Sequence, residues 1–293
     1  MMKRNNFPFS AVLGLNHAKT AILIVLVNPR AGGLLISGPR GIGKSTLMRS
    51  TQELIERPWR DIPVSITEDR LFGTIDTEKA IYSGQKKLYP GIINEADQGV
   101  LYLDDVNLLR EDLLDSILDI AEVGTYQLER DGLSLRCDTS FTVIAAINPE
   151  SGMLSGACLD QFGLFVNVDN IHDENTRVEI LKRTISFEKD CASFCNLWKL
   201  ENEKIKKAIH SAMSLLPKVV VSSAMIRLAS VYALKAHVSG HRADIYLIEA
   251  ARALAALAER RYVLPKDLEK AAEFVLPPVS YTHLRAHETE LHL

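Results

Sequence analysis

The run Leu34-Leu35-Ile36-Ser37-Gly38-Pro39-Arg40-Gly41-Ile42-Gly43-Lys44-Ser45-Thr46 decides how the whole chain is read. An apolar stretch breaks into a glycine-rich turn and passes into the helix-prone Thr46-Leu47-Met48-Arg49-Ser50. This is the G-x-x-x-x-G-K-[ST] pattern with a strand before it and a helix after it, the context that gives it meaning. Gly38, Gly41 and Gly43 let the backbone curl so that its N–H groups point inward, and the helix N-terminus adds partial positive charge. Gly38, Pro39, Arg40, Gly41, Ile42, Gly43, Lys44, Ser45 and Thr46 together form the expected phosphate cradle. Lys44 serves the β- and γ-phosphates, and the Ser45 hydroxyl is a ligand for Mg²⁺. The pattern implies binding of a nucleoside triphosphate.

A second anchor is Gly99-Val100-Leu101-Tyr102-Leu103-Asp104-Asp105-Val106-Asn107, an apolar strand that ends in two carboxylates. Parallel strands meet ligands at their C-terminal edge. Asp104 is placed to hold Mg²⁺, directly or through water, and Asp105 to orient or deprotonate an attacking water. Phe141-Thr142-Val143-Ile144-Ala145-Ala146-Ile147-Asn148 is a further buried strand with a polar end. The Asn148 amide can bond a γ-phosphate or the lytic water, or serve as a turn former before Pro149.

Composition narrows the classes. The chain has 293 residues, 47% of them hydrophobic and 24% charged, with a net charge of −3. That balance supports a buried core and gives no global attraction to nucleic acid or an anionic membrane. The apolar run at residues 21–27 is too short to span a bilayer. No signal-peptide core follows the basic opening residues, and the four cysteines form no C-x-x-C pair, which points to a reducing, cytoplasmic setting. Cys191 and Cys195 share a helical i, i+4 face and read as reduced thiols in preference to metal ligands.

Around these anchors, Asn16 is a candidate helix cap for residues 16–26. Val12 and Leu13 before it suit the adenine side of a nucleotide pocket or plain core packing. Residues 59–98 show little periodicity, unusual inside a compact domain. Residues 108–123 read as an amphipathic helix, and residues 126–136 alternate about an Asp131-Gly132 turn as a hairpin does. From residue 173 to 276 every strong segment is helical, so the mixed composition ends near Ile171. The polar stretch from Val279 to Leu293 looks like translated adaptor or vector sequence and is set aside, His283 and His287 with it.

The combination resembles the AAA+ ATPases, and among them the ATPase (I) subunits of magnesium chelatase. The resemblance runs from about Phe7 to Leu276. It is carried by Phe7-Pro8-Phe9-Ser10-Ala11-Val12-Leu13-Gly14, Glu68-Asp69-Arg70-Leu71-Phe72-Gly73-Thr74-Ile75-Asp76 and Pro90-Gly91-Ile92-Ile93. It continues through Leu101–Leu109, Glu129-Arg130-Asp131-Gly132, Asn148-Pro149-Glu150 and Thr176-Arg177-Val178-Glu179. The resemblance implies an α/β P-loop domain with a parallel sheet over residues 1–171. Within it fall a helix-2 insertion at 65–98 and a pre-sensor hairpin at 124–138. An all-helical lid at 172–278 follows.

The resemblance also implies ATP and Mg²⁺ as cofactors, with a ring of hexamer type as the assembly. It implies a D-type AAA+ subunit and a large porphyrin-binding H-type subunit as partners, driving Mg²⁺ into protoporphyrin IX. By position, Lys44 and Ser45 match the P-loop, Asp104 the Mg²⁺ aspartate and Asn148 the sensor in the sheet. Arg242 matches the helical-domain arginine that touches the γ-phosphate. Two positions depart. Asp105 stands where the family has glutamate, and Gln161 stands where it has the arginine that reaches a neighbouring subunit's site. Such a finger is typically worth ~10³–10⁵-fold in rate. Two alternatives stay open beside the active ring ATPase. One is a nucleotide-binding structural subunit with weak hydrolysis of its own; the other is a MoxR-like or cobalt-inserting AAA+ remodeller.

Overall fold

The computed structural model describes residues 6–75, 88–130, 133–152, 154–238 and 240–276. The tail from Val279 and the Asp131-Gly132 turn lie outside the described residues. The chain divides into two compact units. One holds the described residues up to Ile55 together with those from Phe162 onward, and the other is Glu56–Gln161.

In the first unit, α1 (Asn16–Val27) is apolar nearly all round, and such a helix must be buried. Ala21, Ile22, Ile24 and Val25 are fully inaccessible. Leu15 takes the cap position and Asn16 the first helical place, because burial of Leu15 sets where the chain enters the helix. Strand β1 (Gly33–Ser37) pairs in parallel with β9 (Phe162–Asn167), from Gly33 opposite Phe162 to Ser37 opposite Asn167. Leu34, Leu35 and Ile36 are buried, at about 1.5–3 kcal/mol each. Between these strands in sequence lies α2 (Lys44–Thr51). At Gly163, the second residue of β9, a Cβ would stand 1.9 Å from the Ala31 carbonyl oxygen, so only glycine admits that approach.

Beyond β9 the described residues form five α-helices: α7 (Glu174–Lys189), α8 (Cys191–Leu215), α9 (Ser223–Lys235), α10 (Arg242–Leu257) and α11 (Pro265–Val275). The alanines of α10 explain its central place. Ala250, Ala251, Ala253 and Ala255 are fully buried, and their small side chains let α1, α8, α9 and α11 close against one helix. Glu249 of α10 accepts from the buried Asn28 side chain at 2.6 Å, tying α10 to the segment before β1.

In the second unit, β5 (Val100–Leu103) pairs in parallel with β2 (Trp59–Ile62) on one side and with β8 (Thr142–Ile147) on the other. Every residue of β5 and β8 is buried, as unbroken apolar runs between covered faces require. Helix α5 (Glu111–Val123) buries Leu113, Leu114, Ile117, Leu118 and Ile120 and stops at Gly124, whose φ is 79°.

The weakly periodic section resolves into α3 (Glu68–Phe72), β3 (Gly73–Ile75), β4 (Leu88–Pro90) and α4 (Ile92–Glu95). Each spans one turn or a few strand residues, too short for periodicity to register. Strands β3 and β4 are antiparallel, as are β6 (Thr125–Arg130) and β7 (Leu133–Asp138). The Tyr126 hydroxyl lies 2.6 Å from Asn94 Oδ1 and 2.9 Å from the Phe72 carbonyl, pinning the second hairpin to α3 and α4. The short α6 (Gly156–Leu159) completes the unit. Parallel strands followed by helices place the chain in the α/β class, as the sequence implies. No helix among the described residues is long and apolar enough to cross a membrane.

Candidate nucleotide-binding site

The phosphate cradle belongs to the first unit. Strand β1 ends at Ser37 and the chain turns through Gly38–Gly43 into α2. Gly41 and Gly43 have φ of +81° and +91°, the left-handed region that side chains resist. Gly43 caps α2 without a side chain, so the first-turn N–H groups of Lys44, Ser45 and Thr46 face outward from the helix start. Such a start attracts anions through both those donors and the helix dipole. Lys44 is 7% exposed, and its Nζ donates to the Gly38 carbonyl at 2.5 Å and the Pro39 carbonyl at 2.9 Å. The cation is therefore stored inside the loop, over the place where phosphate oxygens would enter. Ser45 is half-buried, while Arg40 and Thr46 are exposed.

The carboxylates belong to the second unit. Asp104 directly follows β5 and is half-buried. Asp105 has φ 47° and ψ 49°, a left-handed conformation uncommon for aspartate and of the kind found at functional turns. Asn148 follows β8, the neighbour of β5, so Asp104 and Asn148 emerge from the C-terminal ends of adjacent parallel strands. Asn148 is 2% exposed. Its Oδ1 accepts from the Glu150 N–H at 3.3 Å and its Nδ2 donates to Ser151 Oγ at 3.1 Å, so the amide caps the turn at Pro149–Ser151. Of the two readings offered by the sequence, these bonds describe the turn former. Asn107 Nδ2 reaches the Asn148 carbonyl at 3.5 Å.

Arg242 is exposed and opens α10 in the first unit. One turn on, the Tyr246 ring stands 2.7 Å from where a Cβ on Gly32 would be. That contact and the Asn28–Glu249 bond both precede β1, whereas the P-loop follows it. Gln161 closes the second unit half-buried, its Oε1 without a hydrogen-bond partner among the described residues.

Some residues of the first unit make contacts that the sequence did not mark. Arg183 of α7 donates to the Ala11 carbonyl at 2.9 Å, pairs with Glu179 at 2.8 Å and stacks 4.5 Å from the Trp198 ring. Lys19 Nζ donates to the Val12 carbonyl at 2.5 Å and lies 5.2 Å from the Phe9 ring. Burial, and then the charge of Arg183, lower the Lys19 pKa to about 8. An open groove of ≈ 500 Å³ runs beside this segment, lined by Phe9, Ser10, Lys19, Leu23, Lys204 and others and by no P-loop residue.

Comparison with known proteins agrees with this arrangement. A family model for an AAA domain of the dynein-related subfamily matches residues 33–161, and one for an AAA lid domain matches residues 227–278. The chain is 33% identical to the magnesium-chelatase subunit ChlI homolog of Methanocaldococcus jannaschii, over 94% of this chain and 86% of that protein. It is 33% identical to the magnesium-chelatase 38 kDa subunit of Rhodobacter capsulatus, over 92% and 87%. It is 34% identical to the chloroplastic magnesium-chelatase subunit ChlI of Nicotiana tabacum, over 91% and 72%. Among solved structures, a chain from the complex of magnesium-chelatase subunits BchI and BchD is 31% identical. It superposes with a TM-score of 0.55, covering 95% of this chain and 99% of that one. A glycine-capped phosphate loop, carboxylate and amide strand ends and a helical lid, in a chain a third identical to these subunits along nearly its whole length, make it a member of the magnesium-chelatase I-subunit family of AAA+ ATPases.

Proposed function

We propose that this chain binds MgATP and hydrolyses it to drive insertion of a metal ion into a tetrapyrrole, as the I subunit of a magnesium chelatase. The observation that carries the reading is the cradle itself, with left-handed Gly41 and Gly43, an open helix start and the stored Lys44 ammonium. Lys44 and the backbone N–H groups between Gly38 and Thr46, Pro39 excepted, bind the phosphates. Ser45 and Asp104 are oxygen donors suited to Mg²⁺, which supplies charge neutralisation to the β- and γ-phosphates when bound. Asp105 orients or deprotonates the attacking water, and Asn148 and Arg242 respond to the γ-phosphate. The assembly is a ring of hexamer type. A D-type AAA+ subunit and a porphyrin-binding H-type subunit complete the machine, in the cytoplasm.

One observation favours a second reading, a nucleotide-binding ring subunit whose own turnover is slow. Gln161 occupies the place from which an arginine would reach the neighbour's γ-phosphate, and a neutral amide does not offset the charge that develops there. The test is steady-state ATPase of wild type against Gln161→Arg under ring-forming conditions. A gain of an order of magnitude or more supports the missing-finger reading. A wild type at ordinary AAA+ rates with no gain in the variant shows that the trans cation comes from elsewhere.

A further inference from the structure

The seven residues from Phe9 to Leu15 lead the chain to the flank of the P-loop. They begin as a 3-10 turn, Phe9–Ala11, which leaves the Ala11 and Val12 carbonyls without helical partners. Two cations from separate helices take them, Arg183 of α7 at 2.9 Å and Lys19 of α1 at 2.5 Å. A third helix holds Ser10: Asn202 Oδ1 on α8 accepts from the Ser10 N–H at 2.9 Å and from its hydroxyl at 2.8 Å. Arg183 is itself held by Glu179 and the Trp198 ring and keeps 18% side-chain exposure, so it acts as a rigid strut. At the far end of the segment, Leu15 Cδ1 is 3.9 Å from where a Cβ on Gly43 would be, and Gly14 lies against Ile171.

Gripping two consecutive carbonyls with two half-buried cations is costly, since like charges repel and each loses part of its hydration. Packing alone would be served by apolar side chains. What the cations add is orientation: a carbonyl bonded to a fixed guanidinium has one allowed direction. The segment so oriented ends in Leu15 beside Gly43, where the phosphate loop closes and α2 starts. A nucleotide whose phosphates fill the loop has its nucleoside on such a flank, and an apolar side chain there suits a purine face.

We propose that Arg183, Lys19 and Asn202 are positioning residues for the nucleotide. They fix Phe9–Leu15 against the P-loop so that this segment holds the nucleoside, while the loop alone holds the phosphates. The proposal rests on the nucleotide-binding reading above and adds to it which residues set affinity for the base side.

The test separates the two ends of the ligand. Full-length protein is titrated with a fluorescent ribose-labelled ATP in the presence of Mg²⁺, and inorganic tripolyphosphate is measured by competition. Arg183→Met should weaken the labelled ATP about tenfold or more and leave tripolyphosphate within about twofold of wild type. Arg183→Lys, which keeps a donor for the Ala11 carbonyl, should recover part of the loss. Asn202→Ala, a smaller perturbation, should show the same selective loss should Arg183→Met fail to fold. Unchanged ATP affinity in folded variants overturns the proposal, and so does a parallel loss for both ligands, which marks a merely structural role. A wild type that binds neither ligand overturns the nucleotide-binding reading itself, and this inference with it.

Discussion

Removing the Lys44 ammonium tests how the phosphate loop works before a nucleotide arrives. In Lys44→Ala the loop loses its buried cation, which is already bonded to the Gly38 and Pro39 carbonyls. Binding of a phosphate therefore does not recruit a free charge; it draws the ammonium from two neutral acceptors. At about 4 Å and an effective dielectric of about 20, a unit charge pair is worth roughly 4 kcal/mol. Giving up two carbonyl bonds costs about 0.5–1.5 kcal/mol each. The net contribution of Lys44 to affinity is then about 1–3 kcal/mol, or roughly 5- to 150-fold in Kd. Calorimetric titration of wild type and variant with MgATP measures it, with the melting temperature as a folding control. Tripolyphosphate should weaken by the same factor, since Lys44 acts on phosphate alone. Affinity unchanged within twofold in a folded variant would falsify the assignment. A loss beyond about 10⁴-fold would show that the carbonyls offer the ammonium no competing site.

Two further expectations concern stability. Asp267→Asn should lower stability by about 3–5 kcal/mol in urea unfolding. The Asp267 carboxylate makes bonds of 2.6 and 2.7 Å to Arg260 and accepts from the Leu264 N–H at 2.8 Å, with only 6% of its side chain exposed. A shift below about 0.5 kcal/mol, the range of an exposed pair, refutes that reading. Burial, and then the neighbouring Cys191, push the Cys195 thiol up to about 11. The folded state holds that proton more tightly than the unfolded chain. The contribution is therefore complete below the ordinary thiol pKa and is lost as pH rises toward about 11. Iodoacetamide at pH 8.5 should label Cys195 slowly in the native protein and quickly in urea, read by peptide mass mapping. Equal rates in the two states contradict it.

The parts of this protein legible in its sequence are those whose physics is local. The P-loop needs glycine at left-handed positions, a lysine and a helix start within nine consecutive residues, and all of that is written between Gly38 and Thr46. Strands β5 and β8 are unbroken apolar runs because both their faces are covered, and their polar ends at Asp104 and Asn148 follow directly. The alanines of α10 announce close helix packing for the same kind of reason. Even Gln161, the departure on which the slow-turnover reading rests, is a single letter in a recognisable frame. The short pieces α3, β3, β4 and α4 were not legible, since none is long enough to repeat a period.

Tertiary structure alone decided what meets across the chain. Arg183 and Ala11 stand 172 residues apart, and nothing in either neighbourhood marks them as partners. The contacts of Arg183 with the Ala11 carbonyl and the Trp198 ring follow from where α7 packs. The same holds for Asn28 with Glu249, 221 residues apart, and for the pairing of β1 with β9. Local patterns constrain backbone dihedrals and burial, which each residue settles with its near neighbours. Long-range polar contacts depend on the relative placement of whole elements, and that is set by the sum of many apolar contacts that no single stretch contains.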